Sequence, residues 1–514
     1  MERRWWETRS FAIALIFASM IPLLLPDTPP LTDVPGHMGR YRVQLDLDTS
    51  PYLRSFYGFE WKLIGNLGVD LLIIPMSKLF GLELGLKLIV LAIPALTVAG
   101  FLAVAREAHG TLPPTATLAL PLAYSFPFHF GFINYCLSMA LAFLAFAFWM
   151  RLGRYKQFTL RAFIFVPLSL VIWVTHVFGW GVLGVLAFAS ELSRERGQKR
   201  PWLHAGLRGA ASCVPLMLPF FLMALWRSGD ASGVTGDWFN WNAKVAYFMM
   251  AFRDQWQWFD LVSSGAILIA LAASAIERKC YIPQTLLFSA AFLFILYIIM
   301  PRIVFGSAYA DMRLAPFVLA ILLLGMSFPK LKGEHYFKLF AALSVSFFAL
   351  RIAGNTASLY IEDRKFQREL AAVAHIPPGA RLISLVGERC NSQWAQNRLV
   401  HLPSMALVRK EAFANDQWVL AGAQLLTIKF DAGEFSADPS QIVTQTKCKN
   451  EIWRPINQSL RELPYENIDY LWMISPPKHD ESSIRDFEII WENGSSTLYQ
   501  TKPALNTGET LRLR

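Results

Sequence analysis

Two clusters of ionisable side chains stand out because the sequence around them is apolar. The first is Thr32-Asp-Val-Pro-Gly-His-Met-Gly-Arg40, which places Asp33, His37 and Arg40 within eight residues, with Asp46 and Asp48 further on. A carboxylate such as Asp33 can accept the proton of an attacking hydroxyl or ligate a divalent cation. A short helix opening near Pro35 would put His37 and Arg40 on one face, with Asp33 just before its start. The same pattern also suits an amphipathic interfacial helix whose charges contact lipid headgroups. The second cluster runs from Met300 to Pro316 and holds Arg302, Asp311 and Arg313. The planar fork of an arginine matches a phosphate or pyrophosphate through two parallel hydrogen bonds. Alternatively, Asp311 and Arg313 pair and cap the helix that follows. His176 and Asn134 are isolated polar residues beside apolar runs. Each suits a substrate contact, and each also suits a structural role, as a packed histidine and a helix N-cap respectively. Trp238, Trp241, Trp256 and Trp258, with Asp237 and Asp254, fall in a loop from Trp226 to Trp258. Interfacial tryptophans or a sugar-stacking platform would both explain them.

The elements that must position these groups are membrane spans. Hydrophobic residues make up 54% of the 514 and charged residues only 17%, a balance that excludes disorder, a coiled coil and an ordinary soluble chain. About twelve apolar runs approach the ~20 residues a span requires. They lie near 11–25, 67–82, 84–104, 112–127, 134–150, 160–176, 177–192, 208–226, 259–276, 282–300, 314–329 and 338–355. The first is read as a span rather than a signal peptide, because no small-residue cleavage site follows it. Lys and Arg crowd the short connections Arg151–Lys156, Ser193–Arg200, Glu277–Lys279 and Lys330–Lys332. The positive-inside rule puts these, and the N-terminus, in the cytoplasm. The loop 27–66, the connections holding Asn134, His176, Arg302, Asp311 and Arg313, and everything beyond the last span then face outward. This assignment needs an odd number of crossings between 66 and 104, where hydropathy shows two runs, so thirteen spans satisfy it as well as twelve. The net charge of +10 is thereby an orientation signal and no indication of a nucleic-acid partner.

Residues 1–360 form the multi-span domain, and residues 361–514 read as a separate extracytoplasmic α/β domain. Its β-like runs include Ala380–Val386, Tyr470–Ile474 and Phe487–Trp491, each bounded by turn formers. Cys390 and Cys448 both fall there, in an oxidising compartment on this topology, and either pair or stay free. None of the five cysteines shows zinc-ligand spacing. There is no Walker A loop, no HExxH, no GxSxG and no dinucleotide-binding fingerprint.

The order of these features resembles the GT-C superfamily of integral-membrane glycosyltransferases. The likeness lies in one helix, a long outward loop opening on Asp33 with Arg40 close behind, a run ending Leu79-Phe-Gly81, many spans and an outward C-terminal domain. It rests mainly on residues 31–110, and more loosely on Gly131–Ser138 and Gly306–Pro316. The resemblance implies a polytopic helical fold in a bacterial inner membrane and a polyprenyl-phosphate-linked sugar as donor. It implies a glycan, glycolipid or protein acceptor, and Asp33 at the catalytic position with Arg313, Arg302 or Arg40 near the lipid phosphate. A common form of the motif has two neighbouring acids, whereas Asp33 has none, which favours metal-independent action over use of Mg or Mn. Two other roles fit the same layout: a transporter or flippase for a lipid-linked sugar, and a non-catalytic member of a polysaccharide assembly complex.

Overall fold

The computed structural model describes residues 4–225, 234–304, 306–390, 393–420, 424–449 and 451–501. The start of the Trp-rich loop at Trp226 and the last residues of the C-terminal domain lie outside the described residues. Five helices have the length and apolarity to cross a membrane: Leu82–His109, Ile133–Arg154, Phe158–Thr175, Gln257–Ile276 and a long helix beginning at Glu334. A sixth long helix, Val177–Gly197, carries Glu191, Arg194, Glu195 and Arg196 at its end. Other expected spans are shorter or broken, and proline accounts for several of them. The run 112–127 becomes a nine-residue 3-10 helix, Ala116–Tyr124, with Pro121 inside it. The run 208–226 divides into Trp202–Ser212, Val214–Leu216 and Leu218–Leu225 around Pro215 and Pro219. Proline lacks the amide hydrogen that continues the α ladder and clashes with the preceding turn. Between 66 and 104 the chain forms a helix Gly68–Phe80, a turn at Gly81 and the helix from Leu82, so the two apolar runs expected there are both helical.

The loop after the first helix folds as expected into a helix, Val34–Asp46, with Pro35 in its first turn. Its start is pinned to the connection before Ile133–Arg154. The Thr32 and Asp33 amides donate to the His129 and Phe130 carbonyls at 3.3 and 3.0 Å. Gly131, with φ +98°, passes so close that a Cβ there would sit 2.8 Å from the Asp33 nitrogen.

The long helix runs from Glu334 to Leu370 without a break, so the boundary expected at 360/361 falls inside a continuous helix. Beyond it, a mixed sheet contains Arg381–Gly387 at its centre, flanked by Ile442–Thr444 and Tyr470–Ile474, all parallel. Thr497–Thr501 and Phe487–Glu492 continue the sheet antiparallel. Tyr470–Ile474 is buried along its whole length and Phe487–Glu492 is largely exposed, as expected of a central and an edge strand. This domain is not independent of the first loop. Tyr57–Phe59 pairs antiparallel with Leu426–Ile428, and Gly36 leaves no space for a Cβ beneath the Trp418 ring. Cys390 and Cys448 are joined in a disulfide that closes a 58-residue separation. Chain-entropy arguments give such a loop about 4 kcal/mol of stabilisation. Reduction is therefore expected to lower the unfolding temperature of the C-terminal domain, as read by near-UV circular dichroism with and without dithiothreitol.

Candidate active site

Asp33 occupies the N-cap position of Val34–Asp46, where a carboxylate ordinarily accepts an amide hydrogen of the first turn. Here it makes no such bond. Its side chain is free for another use, although it is almost wholly buried. Burial, and next the nearby Asp438, push its pKa well above the usual carboxylate range, while the Arg313 cation pulls the other way. A carboxylate that binds its proton more tightly is also the stronger base once ionised.

The residues that meet Asp33 include several from the C-terminal domain. His401 Nε2 lies 4.0 Å from Asp33 Oδ1 and 3.9 Å from Asp438 Oδ1. The His401 ring stacks on Trp418 at 4.4 Å between centroids, and Trp418 stacks in turn on His37 at 5.2 Å. His37 is half-buried, and its shielded Nδ1 has no partner among the described residues. Desolvation, then the charge of Arg40, hold its pKa well below the ordinary value, against a backbone hydrogen bond with Gly131 that raises it. Asp416 accepts from both the amide and the hydroxyl of Ser404, at 2.8 Å each. Burial nevertheless raises its pKa to about 8. Sequence reasoning missed His401, Asp416, Trp418 and Asp438, since single polar or aromatic residues in a segment of mixed polarity carry no anomaly to mark them.

Arg313 enters from the connection before Ala315–Gly325. Its guanidinium lies over Phe132 at 4.3 Å and near Phe178 and Tyr135 at 5.6 and 5.7 Å. One nitrogen donates to Ser307 Oγ at 3.2 Å, and Nε has no partner. No ion pair among the described residues includes it. An unpaired buried cation is costly, and a site that retains one is suited to receiving an anion. His176, the N-cap of Val177–Gly197, accepts the Phe178 amide through Nδ1 and packs on Tyr135 at 5.7 Å.

The remaining sequence candidates have strong internal partners. Arg40 pairs with Asp70 at 2.9 Å, with both side chains buried. Asn134 caps a different helix from its own: it accepts the Val69 amide at 2.6 Å and donates to Asp70 at 3.0 Å. These contacts fix the first-loop helix against Gly68–Phe80. Asp70→Ala would strand Arg40 as a buried, uncompensated charge, with an expected loss of about 3–5 kcal/mol measurable as a lower melting temperature. Asp311 pairs with Lys244 at 3.0 Å and not with Arg313. Arg302 is half-exposed and reaches Tyr247 at 3.2 Å and Asp237 at 3.3 Å. Asp33 and His37 thus share the neighbourhood of His401 and Trp418, and His176 packs with Arg313 on Tyr135, whereas Arg40, Asn134, Arg302 and Asp311 are taken up by other partners.

A second buried charge network holds the C-terminal domain in place. Arg398 pairs with Asp254 and donates to the Pro30 carbonyl at 2.7 Å. Asp260 receives Arg351 at 2.8 Å and the Trp394 indole at 2.8 Å. Residues flanking the expected domain boundary therefore share partners with the loops around Asp33.

Among the described residues, no three His, Cys, Asp or Glu side chains gather in a way that could hold a metal ion. No family model and no curated protein matches the chain. Two solved structures align with nearly all of it, both of ArnT from Cupriavidus metallidurans. The form bound to undecaprenyl phosphate is 12% identical, with 97% of this chain and 98% of that one covered and a TM-score of 0.49. The apo form is 12% identical, with 96% of each chain covered and a TM-score of 0.45.

Proposed function

We propose that the protein is an integral-membrane glycosyltransferase that moves a sugar from a polyprenyl-phosphate donor to a hydroxylated envelope acceptor on the extracytoplasmic side. The observation that supports this reading is a buried carboxylate and a buried cation near enough to act on each other. Asp33 is an uncapped buried carboxylate, and Arg313 is a buried guanidinium without a carboxylate partner, close enough to influence its titration. In the proposed reaction Asp33 takes the acceptor hydroxyl proton as the oxygen attacks the anomeric carbon. The bond to the lipid phosphate breaks on the opposite face, which inverts the anomeric centre. Arg313 stabilises the phosphate charge that develops. The aromatic wall of Phe132, Tyr135 and Phe178 excludes water and strengthens that attraction. The site lies at the ends of apolar helices, where a donor anchored in the bilayer can present its phosphate. On this reading the membrane is a bacterial inner membrane, with the N-terminus cytoplasmic and the C-terminal domain periplasmic.

The test is mass spectrometry of envelope glycans, glycolipids and glycoproteins from cells with and without the gene. Loss of one sugar, restored by the wild type but not by Asp33→Asn, is the expected result. Unchanged glycans with altered movement of a lipid-linked sugar across the membrane would favour the transporter. Silent Asp33 substitutions combined with a phenotype on deleting the C-terminal domain would favour the assembly component.

A further inference from the structure

His401 is held in one tautomer. Its Nδ1 lies 2.9 Å from the Asp416 carbonyl oxygen, which can only accept, so Nδ1 carries the hydrogen and Nε2 carries the lone pair. That lone pair faces two carboxylates at nearly equal distance, Asp33 at 4.0 Å and Asp438 at 3.9 Å. The two differ in environment. Asp33 is buried, whereas the Asp438 side chain is 26% exposed. Asp438 also lines an open hollow of about 400 Å³ together with Glu434, Ser436, Ser440 and Arg454. Gln441 holds the Asp438 carboxylate at 2.6 Å. Stacking on Trp418 fixes the plane of the imidazole and lets it rock within that plane.

We propose that His401 and Asp438 form a proton-exit relay that returns Asp33 to its basic form by carrying its proton to the aqueous hollow. The relay rests on the transferase reading above. In each turnover the acceptor O–H bond breaks as the new C–O bond forms, and the lipid phosphate leaves with the electron pair of the old bond. The proton passes to the Asp33 carboxylate, then to His401 Nε2, then to the Asp438 carboxylate and bulk water. Each gap of about 4 Å is closed by a small ring movement or a single bridging water. The charged and titratable groups around His401 are Asp33 and His37 from the first-loop helix, Asp416 and Asp438 from the C-terminal domain, and Arg313 beyond Asp33. His401 and Asp438 act through Asp33 and are positioning residues.

The experiment uses the full chain in lipid nanodiscs. Radiolabelled polyprenyl-phosphate mannose and glucose serve as probes, and loss of label from the lipid to any acceptor, water included, is counted. In dilute buffer, Asp438→Asn is expected to lower steady-state turnover about tenfold, and added imidazole is expected to restore most of it. His401→Gln should behave in the same way. Turnover equal to wild type at every buffer concentration, or a loss that imidazole does not relieve in a protein with wild-type melting temperature, would overturn the relay alone. Wild-type protein that leaves the label on both lipids would instead count against the transferase reading. A second arm is independent of turnover. In nitrogen-labelled histidine spectra, Asp438→Asn should move the His401 titration to lower pH, because the carboxylate that favours the imidazolium is gone. An unmoved titration would refute the relay.

Discussion

Asp33→Asn is expected to lower sugar transfer by on the order of a thousandfold, roughly 4 kcal/mol of barrier, while leaving insertion and folding intact. The asparagine has nearly the same shape and cannot accept the proton. Because the Asp33 side chain makes no capping bond, the first-loop helix loses nothing when the charge is removed. Folding should improve slightly, since a buried group with a raised pKa resists ionisation. The same shift sets the pH dependence. The base works only when ionised, and its pKa stands above the ordinary carboxylate value near 4. Activity should therefore fall with acid at a higher pH than for a solvated aspartate. A log plot of kcat/KM against pH checks this, and Asp33→Asn should flatten its acid limb. Retained glycosylation in that variant would remove Asp33 from the mechanism.

Arg313 is the second position with a large expected effect. Arg313→Met should reduce kcat/KM for the lipid donor on the order of a hundredfold, about 3 kcal/mol, by removing the cation that meets the leaving phosphate. Stability should move the other way or stay unchanged, because an unpaired buried guanidinium with an unsatisfied Nε is replaced by an apolar chain of similar length. Arg313→Lys keeps the charge without the fork and should fall between the two. A loss confined to KM would mean equal binding of ground and transition states, and a loss in kcat would mean stabilisation of the departing phosphate. An Arg313→Ala protein that fails to fold would identify a structural role, in which the cation serves mainly to fill the aromatic wall.

Most of the architecture was legible because each signal was local. Gly68–Phe80 and Leu82–His109 follow from apolar runs, and Val34–Asp46 follows from Pro35 and the spacing of its charges. Tyr470–Ile474 was readable as a strand from a short apolar run between turn formers. Where proline interrupts an apolar run, as in Ala116–Tyr124, hydropathy suggested a span and the backbone made a short 3-10 helix instead. Hydropathy averages over side chains and does not register a missing amide hydrogen. Within the candidate site, charge flagged Asp33 and Arg313 equally with Arg40 and Asp311, since all four are costly near a bilayer. The partners separated them. Asp70 and Lys244 neutralise Arg40 and Asp311, and they lie 30 and 67 residues away along the chain.

Composition and periodicity alone were enough to read an apolar, many-helix chain with a segment of strands and helices at its end. Those properties depend on composition and short-range periodicity, which are fixed before any tertiary contact forms. Which charges remain unpaired, and which residues meet Asp33, depends on long-range contacts. His401 and Asp438 lie several hundred residues beyond it, in a segment of mixed polarity where a polar side chain leaves no mark on the sequence. They reach Asp33 because Gly36 admits Trp418, Tyr57–Phe59 adds a strand to Leu426–Ile428, and Arg398 anchors beside Pro30. Burial then turned an ordinary aspartate into one with a raised pKa, an effect of desolvation that exists only once the two parts of the chain have closed over it.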